Sequence, residues 1–252
     1  MTGKWDAGMA TLDHTPRGRG YDRAMNYFHH DNDYWSMTVG GCPTDPTHPQ
    51  KTMTPVVDLW AYDGAKEQPA WGVNNTCSQP PSQPMCPGGS ARSGRVCGGG
   101  CTEGPNNIDA FGWNGYEDAV FEQEMLRAID EADPDKPLFL CWTPHIVHTP
   151  LQVPQHFYDK FGFIANETGS AADKADHPRQ IYHAMVNFAD SALGNITDKL
   201  KAKGWWDESL VVFSTDNGGP VYNNGAAGAN NYPLRGGKMT ARSHACFFCT
   251  PH

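Results

Sequence analysis

The sequence predicts an α/β domain built on a largely parallel sheet, and three observations carry that expectation. Two segments have helical periodicity, 116–132 and 180–203. Two apolar runs at 137–142 and 210–215 alternate with them, as strands do between crossover helices. Each run then stops abruptly in residues that carry chemistry, the placement expected at the carboxyl edge of an open α/β sheet. A length of 252 residues suits one such domain with a sizeable core, although two small domains also fit.

Composition narrows the partners. A net charge of −9 without a basic cluster disfavours nucleic acid. An anionic ligand therefore needs a local cationic pocket. No apolar run is long enough to span a bilayer, and Met1-Thr2-Gly3-Lys4-Trp5 lacks the apolar stretch of a signal peptide. Eight cysteines, four of them (Cys77, Cys86, Cys97, Cys101) in one Pro/Gly/Ser-rich stretch, point instead to disulfides and a secretory route, secreted or lysosomal. Acceptor tripeptides at Asn74, Asn166 and Asn195 agree with that route.

Residues 1–36 are broken by glycine and proline and read as a strand end, loop and short turns. Lys4, just past a strand and between glycines, is either a solvated surface lysine or an ammonium presented to an oxyanion. Val56 to Tyr62 reads as one short strand, and 64–115 as a long loop stapled by disulfides. The helix at 116–132 carries Val120, Phe121, Met125, Leu126 and Ile129 on its apolar stripe and closes at Pro134.

The run 137–142 reads as a buried strand that delivers His145 and His148. His148 is placed to donate a proton to a leaving group or a hydrogen bond to an anion, while His145 reads as a histidine satisfied within its proline-bounded loop. A zinc pair formed by the two lacks a third ligand nearby. The helix 180–203 bears Ile181, Met185, Phe188, Ala192, Ile196 and Leu200 on one stripe and stops at Gly204.

The next strand ends in Ser214-Thr215-Asp216-Asn217-Gly218-Gly219. Asp216 and Asn217 offer two hard oxygens to Ca²⁺ or Mg²⁺, and the same residues serve equally well as a plain Asx turn. The loop Asn230 to Lys238 brings two cations, of which Lys238 is placed to reach an anion held near Asp216 and Asn217. The tail 239–252, with His244, Cys246, Cys249 and His252, resembles a zinc-ligand spacing and reads as a divergent end.

Taken together, five short motifs resemble the sulfatase family, in its arylsulfatase B-like branch. They are Gly3-Lys4-Trp5, Arg19-Gly20-Tyr21-Asp22, Val147 to Pro154, Val212 to Gly219, and Tyr232 to Lys238, in family order across most of the chain. The resemblance implies an alkaline-phosphatase-like α/β fold, one divalent cation (usually Ca²⁺) and hydrolysis of a sulfate ester on a small molecule or glycan. Carried over residue by residue, it implies Asp216 and Asn217 as metal ligands. It also implies Lys4, His148 and Lys238 as sulfate-binding and catalytic groups, with His148 placed to protonate the leaving oxygen.

Three departures accompany it. The Cys/Ser-x-Pro/Ala-x-Arg signature that yields the family's formylglycine nucleophile is absent, as is an amino-terminal Asp-Asp metal pair, and no internal cysteine begins that pattern. Asp6 stands where the family commonly has His, so it points away, pairs with Lys4 or marks another arrangement. After Lys238 the expected Glu-Gly-Gly continuation is replaced by Met239 to His244. The whole chain thus reads as a partial sulfatase catalytic domain, expected to be inactive alone. Two rivals stand beside it. One is a two-metal phosphodiesterase or phosphatase using His145, His183 or Asp190; the other is a disulfide-stapled extracellular binding protein.

Overall fold

The structure, a computed structural model, describes residues 1–35, 37–39, 56–64, 67–69, 116–164, 178–220, 228–240 and 247–249. Its main sheet has five strands in the order β6-β5-β2-β1-β7. β1 (Thr2–Lys4) lies between β2 (Ala24–Tyr27) and β7 (Trp142–Thr143) and runs parallel to both. β5 (Trp60–Tyr62) and β6 (Glu67–Pro69) extend the β2 side antiparallel. Two small antiparallel ladders join β3 (Thr38–Val39) to β4 (Val56–Val57), and β8 (Val212–Ser214) to β9 (Phe247–Cys249).

Helix α1 (Glu117–Glu131) connects the layers because its apolar stripe meets three clusters in succession. Tyr116 and Ala119 join Tyr34, Trp35, Leu151, Val153 and Phe188. Val120 and Phe121 turn to Tyr27, Met37 and Leu59 at the sheet. Met125 and Ile129 meet Ile196 of the long helix α3 (Pro178–Ala202), with the four-residue α2 (Gln155–Tyr158) packed at the other end of α3. Phe121 and Ile129 are fully buried, each contributing roughly 1.5–3 kcal/mol relative to exposure. No helix among the described residues is long and apolar enough to cross a membrane.

Several expectations are corrected. The segment 56–62 is two strands in different sheets, because Asp58 turns inward between them. Its carboxylate accepts the amides of Phe28 and His29 and the Trp60 indole N–H at 2.7–3.2 Å. The run 137–142 becomes strand only at Trp142, and Phe139 is 75% exposed, since β7 is the last strand of the sheet on that side among the described residues. Val212 and Phe213 are also exposed and pair with the tail strand β9, not with the main sheet. β2, a central strand, lies in a region read as loop. Glu67–Pro69 adds an edge strand inside the segment read as loop. Cys141 carries a free thiol; the disulfides expected between residues 77 and 101, and most of the tail, lie outside the described residues.

A buried acid–imidazole pair sits at the amino end of α1. His145 Nδ1 lies 2.8 Å from Glu117 Oε2, and both side chains are fully shielded. Burial holds the imidazole down at about 3, with the Lys4 charge adding to the effect. Burial likewise pushes the Glu117 carboxyl well above its ordinary 4.5, against a hydrogen bond from Asn32. Both groups are therefore uncharged in the folded chain.

The two shifts give opposite slopes of stability with pH. Between about 3 and the ordinary 6.5, the unfolded chain takes a proton at His145 that the folded chain refuses, so stability falls as pH drops. Above 4.5 the folded chain keeps a proton on Glu117 that the unfolded chain releases, so stability falls as pH rises. Where the windows overlap, the pair's contribution is flat. In urea melts across pH, Glu117→Gln is expected to turn that plateau into a rise toward 6.5 and to lose the alkaline decline relative to the parent chain. An unchanged alkaline limb would contradict the pairing. Separately, Gly3 has φ +108° and a Cβ there would run into the Thr143 carbonyl oxygen. Gly3→Ala is expected to cost about 3 kcal/mol or more in the same melts, since neither backbone can yield cheaply.

Candidate active site

Lys4 ends β1, and its surroundings explain the residues on either side. Gly3 lets β7 approach, and the Thr143 hydroxyl donates to the Lys4 carbonyl at 2.7 Å. The Trp5 indole N–H reaches the Gly8 carbonyl at 2.9 Å and the His14 carbonyl at 2.7 Å, folding the following loop back on itself. Asp6, at φ +43°, pairs with Lys4, Oδ2 to Nζ 3.3 Å. Of the arrangements left open for Asp6, the structure has the ion pair. The Lys4 side chain is 20% exposed against 54% for Asp6, so the ammonium is the more sheltered partner.

His148 sits on the turn after β7, where its amide bonds the His145 carbonyl at 3.0 Å. Asp118, buried in the first turn of α1, accepts the amides of His145 at 2.9 Å and Ile146 at 3.1 Å. Burial and neighbouring Glu117 push the Asp118 carboxyl up, and those two amides pull it back. The Tyr34 hydroxyl donates to the His148 carbonyl at 2.8 Å.

The ring's own bonds fix its tautomer. Nδ1 faces the Thr149 carbonyl at 2.8 Å, and a carbonyl only accepts, so Nδ1 carries the proton. Nε2 is then bare and accepts from Lys238 Nζ at 3.0 Å. Burial lowers the His148 pKa, the Thr149 carbonyl opposes, and the charges of Lys238, His145 and Lys4 lower it further. At neutral pH His148 is an uncharged acceptor between two ammonium groups.

Lys238 joins this histidine to the Asp216–Asn217 turn. Its backbone N–H lies 3.1 Å from the Gly218 carbonyl and 3.2 Å from that of Gly219. Asn231 clamps the same glycine, accepting from the Gly219 amide and donating to the Gly219 carbonyl, both at 2.8 Å. Side chains would obstruct this contact: a Cβ at Gly218 would stand 3.0 Å from Asn231 Oδ1, and one at Gly219 would collide with the Ala229 Cβ.

Asp216 Oδ1 accepts the Asn217 amide at 2.7 Å, and Asn217 Nδ2 donates to the Gly218 carbonyl at 3.0 Å. Asp216 Oδ2 and the single side-chain oxygen of Asn217, Oδ1, take no part in these two bonds. A carboxylate and a carboxamide oxygen fit a hard divalent cation, as part of the roughly six to eight oxygens that Ca²⁺ takes.

The structure thus brings His148 against Lys238, seats Lys238 on the turn that follows Asp216 and Asn217, and sets Lys4 within reach of His148 by charge. It does not bring in His183, whose ring packs near Phe161 with centroids 5.9 Å apart, in the contact of α3 with the short helix Asp159–Phe161 that precedes it. His145 Nδ1 is held by Glu117 of α1, outside the histidine's own loop, and His145 Nε2 is buried without a hydrogen-bond partner, so the ring is only half satisfied. Asp118 and Asn231 act on the backbone of their partners and Thr149 through its own carbonyl, so all three escape sequence reading.

A model of the sulfatase family matches residues 1–245. Arylsulfatase J of Mus musculus is 33% identical over 145 residues, which is 58% of this chain and 22% of that protein. The crystal structure of Ps i-CgsB in complex with k-i-k-neocarrahexaose matches with a TM-score of 0.57 at 22% identity, over 97% of this chain and 42% of the other. The structure titled Ps i-CgsB alone gives 0.58 over the same shares. The chain therefore spans less than half the length of these relatives. The likeness to these structures extends to the fold, and with the family match it bears out the α/β class. On the match over residues 1–245, the chain belongs to the sulfatase family.

Proposed function

We propose that the group formed by Lys4, His148, Lys238, Asp216 and Asn217 is the sulfate- and metal-binding part of a sulfuric ester hydrolase of the arylsulfatase type. One observation carries the reading: Lys238 touches His148 with its ammonium and the Gly218–Gly219 turn with its backbone. A sulfuryl group bears its charge on peripheral oxygens, so ammonium groups around it stabilise the charge that shifts outward as the ester bond breaks. Asp216 and Asn217 would hold the family's cation, most simply Ca²⁺, which when bound would polarise a sulfate oxygen.

The residues divide the remaining work. Lys4 and Lys238 bind the anion and orient it, and Asp6 releases Lys4 when sulfate replaces it as counter-charge. His148 Nε2 faces the position from which a proton passes to the departing alkoxide oxygen. Anion binding favours the imidazolium needed for that step, since negative charge beside the ring offsets the two ammonium groups.

A sulfated glycan is the favoured substrate class. The support is family membership and the carrageenan-derived hexasaccharide named for the neighbouring structure; a sulfated small molecule is the simpler alternative. A B-like or J-like arylsulfatase subtype and a secretory location, suggested by eight cysteines and three acceptor tripeptides, complete the proposal.

These 252 residues contain no formylglycine signature, so the polypeptide alone is expected to give no turnover of an aryl sulfate in the presence of Ca²⁺. A metal-dependent rate above the uncatalysed one would contradict this. Anion binding is testable without turnover. By NMR, His148 is expected to titrate below 6.5 in the free chain, to rise when inorganic sulfate is added, and to rise in Lys238→Met as one nearby charge is removed. Lys238→Met is also expected to weaken sulfate binding about tenfold or more, the loss of one charge-assisted hydrogen bond. A His148 resonance indifferent to sulfate would overturn the assignment.

A further inference from the structure

We propose that the loop after β2 is a transition-metal site, filled most readily by Zn²⁺, with His29 Nδ1, His30 Nε2 and Asp31 Oδ1 as ligands. The three ligand atoms lie within 4.8 Å of one another, the only such His/Cys/Asp/Glu group of three among the described residues. Asp31 Oδ1 stands 3.0 Å from His30 Nε2 and 3.8 Å from His29 Nδ1. Ligands about 2.0–2.1 Å from a tetrahedral zinc are about 3.3 Å apart, so the two separations straddle the required value. Small side-chain rotations close the difference.

A second observation concerns His29 Nδ1 alone. It is shielded from solvent and has no hydrogen-bond partner, while its nearest charged neighbour is the Asp31 carboxylate at 3.8 Å. A shielded ring nitrogen without a partner is unfavourable, and a bound cation would remove that penalty. The backbone is fixed in advance. Asp58 holds the amides of Phe28 and His29, and its own carbonyl accepts Asn32 Nδ2 at 2.9 Å, so both ends of the three-residue segment are tied to one buried residue.

The donor set distinguishes this place from the Asp216–Asn217 turn. Two imidazoles and one carboxylate suit Zn²⁺, Ni²⁺ or Cu²⁺, whereas a carboxylate and carboxamide oxygen suit Ca²⁺ or Mg²⁺. All three side chains are at least 38% exposed, so three protein ligands leave a fourth position open to water or an anionic oxygen. The segment itself lies beside the end of β1, since the Trp5 amide bonds the Tyr27 carbonyl at 2.9 Å and Asp31's charge reaches both Tyr27 and His145. The inference does not rest on sulfate-ester hydrolysis and stands or falls separately.

The test uses the chelator-treated 252-residue chain, titrated calorimetrically with ZnCl₂ in excess Ca²⁺ so that hard-oxygen sites are already filled. One equivalent of Zn²⁺ is expected to bind in the micromolar range or tighter. Because the chain has eight cysteines, Co²⁺ is used alongside: nitrogen and oxygen ligands give weak visible bands without sulfur-to-cobalt charge transfer. His30→Ala and Asp31→Asn, both on the surface, are each expected to weaken binding at least about tenfold, and Asp216→Asn to leave it unchanged. Absence of uptake, equal affinity in His30→Ala, or a Co²⁺ spectrum dominated by thiolate would each overturn the proposal. A normal Zn²⁺ site with failed sulfate binding would leave it standing and remove the hydrolase reading alone.

Discussion

Two carboxyl groups in the first turn of α1 govern how the sheet's working edge is arranged. Asp118 holds the backbone of the turn that presents His148, and Glu117 holds the His145 ring on one side and Asn32 on the other. The Glu117 amide itself bonds the Tyr34 carbonyl, while the Tyr34 hydroxyl returns to His148. A helix amino terminus carries partial positive charge, which favours acidic side chains there. Burial makes the same side chains demanding, because every lone pair shut away from water requires a partner. Two loops distant in sequence, 32–34 and 145–148, meet that demand together, and so each is fixed relative to the other.

The two long helices were legible to within a residue or two, because their apolar stripes are local and periodic. β2 was not legible: Ala24-Met25-Asn26-Tyr27 has no alternation, and it is a strand by virtue of β1 and β5 on either side. The run at Val212 is a strand as expected, whereas 137–142 is strand only at Trp142, and neither is buried, since burial depends on what lies opposite and no local pattern records that. At the site, Lys4, His148, Lys238, Asp216 and Asn217 stood out as polar residues among glycines or prolines at strand ends. Asp118 and Asn231 did not, because their partners lie 27 and 12 residues away.

The glycines of these motifs have a mechanical reason that is separate from ligand binding. Gly3 admits the Thr143 carbonyl, and Gly218 and Gly219 admit Asn231 and Ala229. In each case two segments approach within a distance that a side chain on the glycine would obstruct; Lys4 follows the first contact directly in sequence, and the Lys238 backbone bonds the carbonyls of the second. Lys4 and Lys238 are thus aimed by neighbouring packing, a steadier support than their own flexible stems provide.

The exposed apolar strands have a consequence for how this polypeptide behaves in solution. Val212 and Phe213 face solvent at 61% and 52%, Leu210 at 80%, and Phe139 near the outer strand of the main sheet at 75%. A pleated border with greasy side chains, and with no further strand on its outer side among the described residues, is a template for another strand. Preparations of these 252 residues should therefore cohere as they are concentrated, and whatever extended segment docks there first will decide whether the result is an ordered particle or a precipitate.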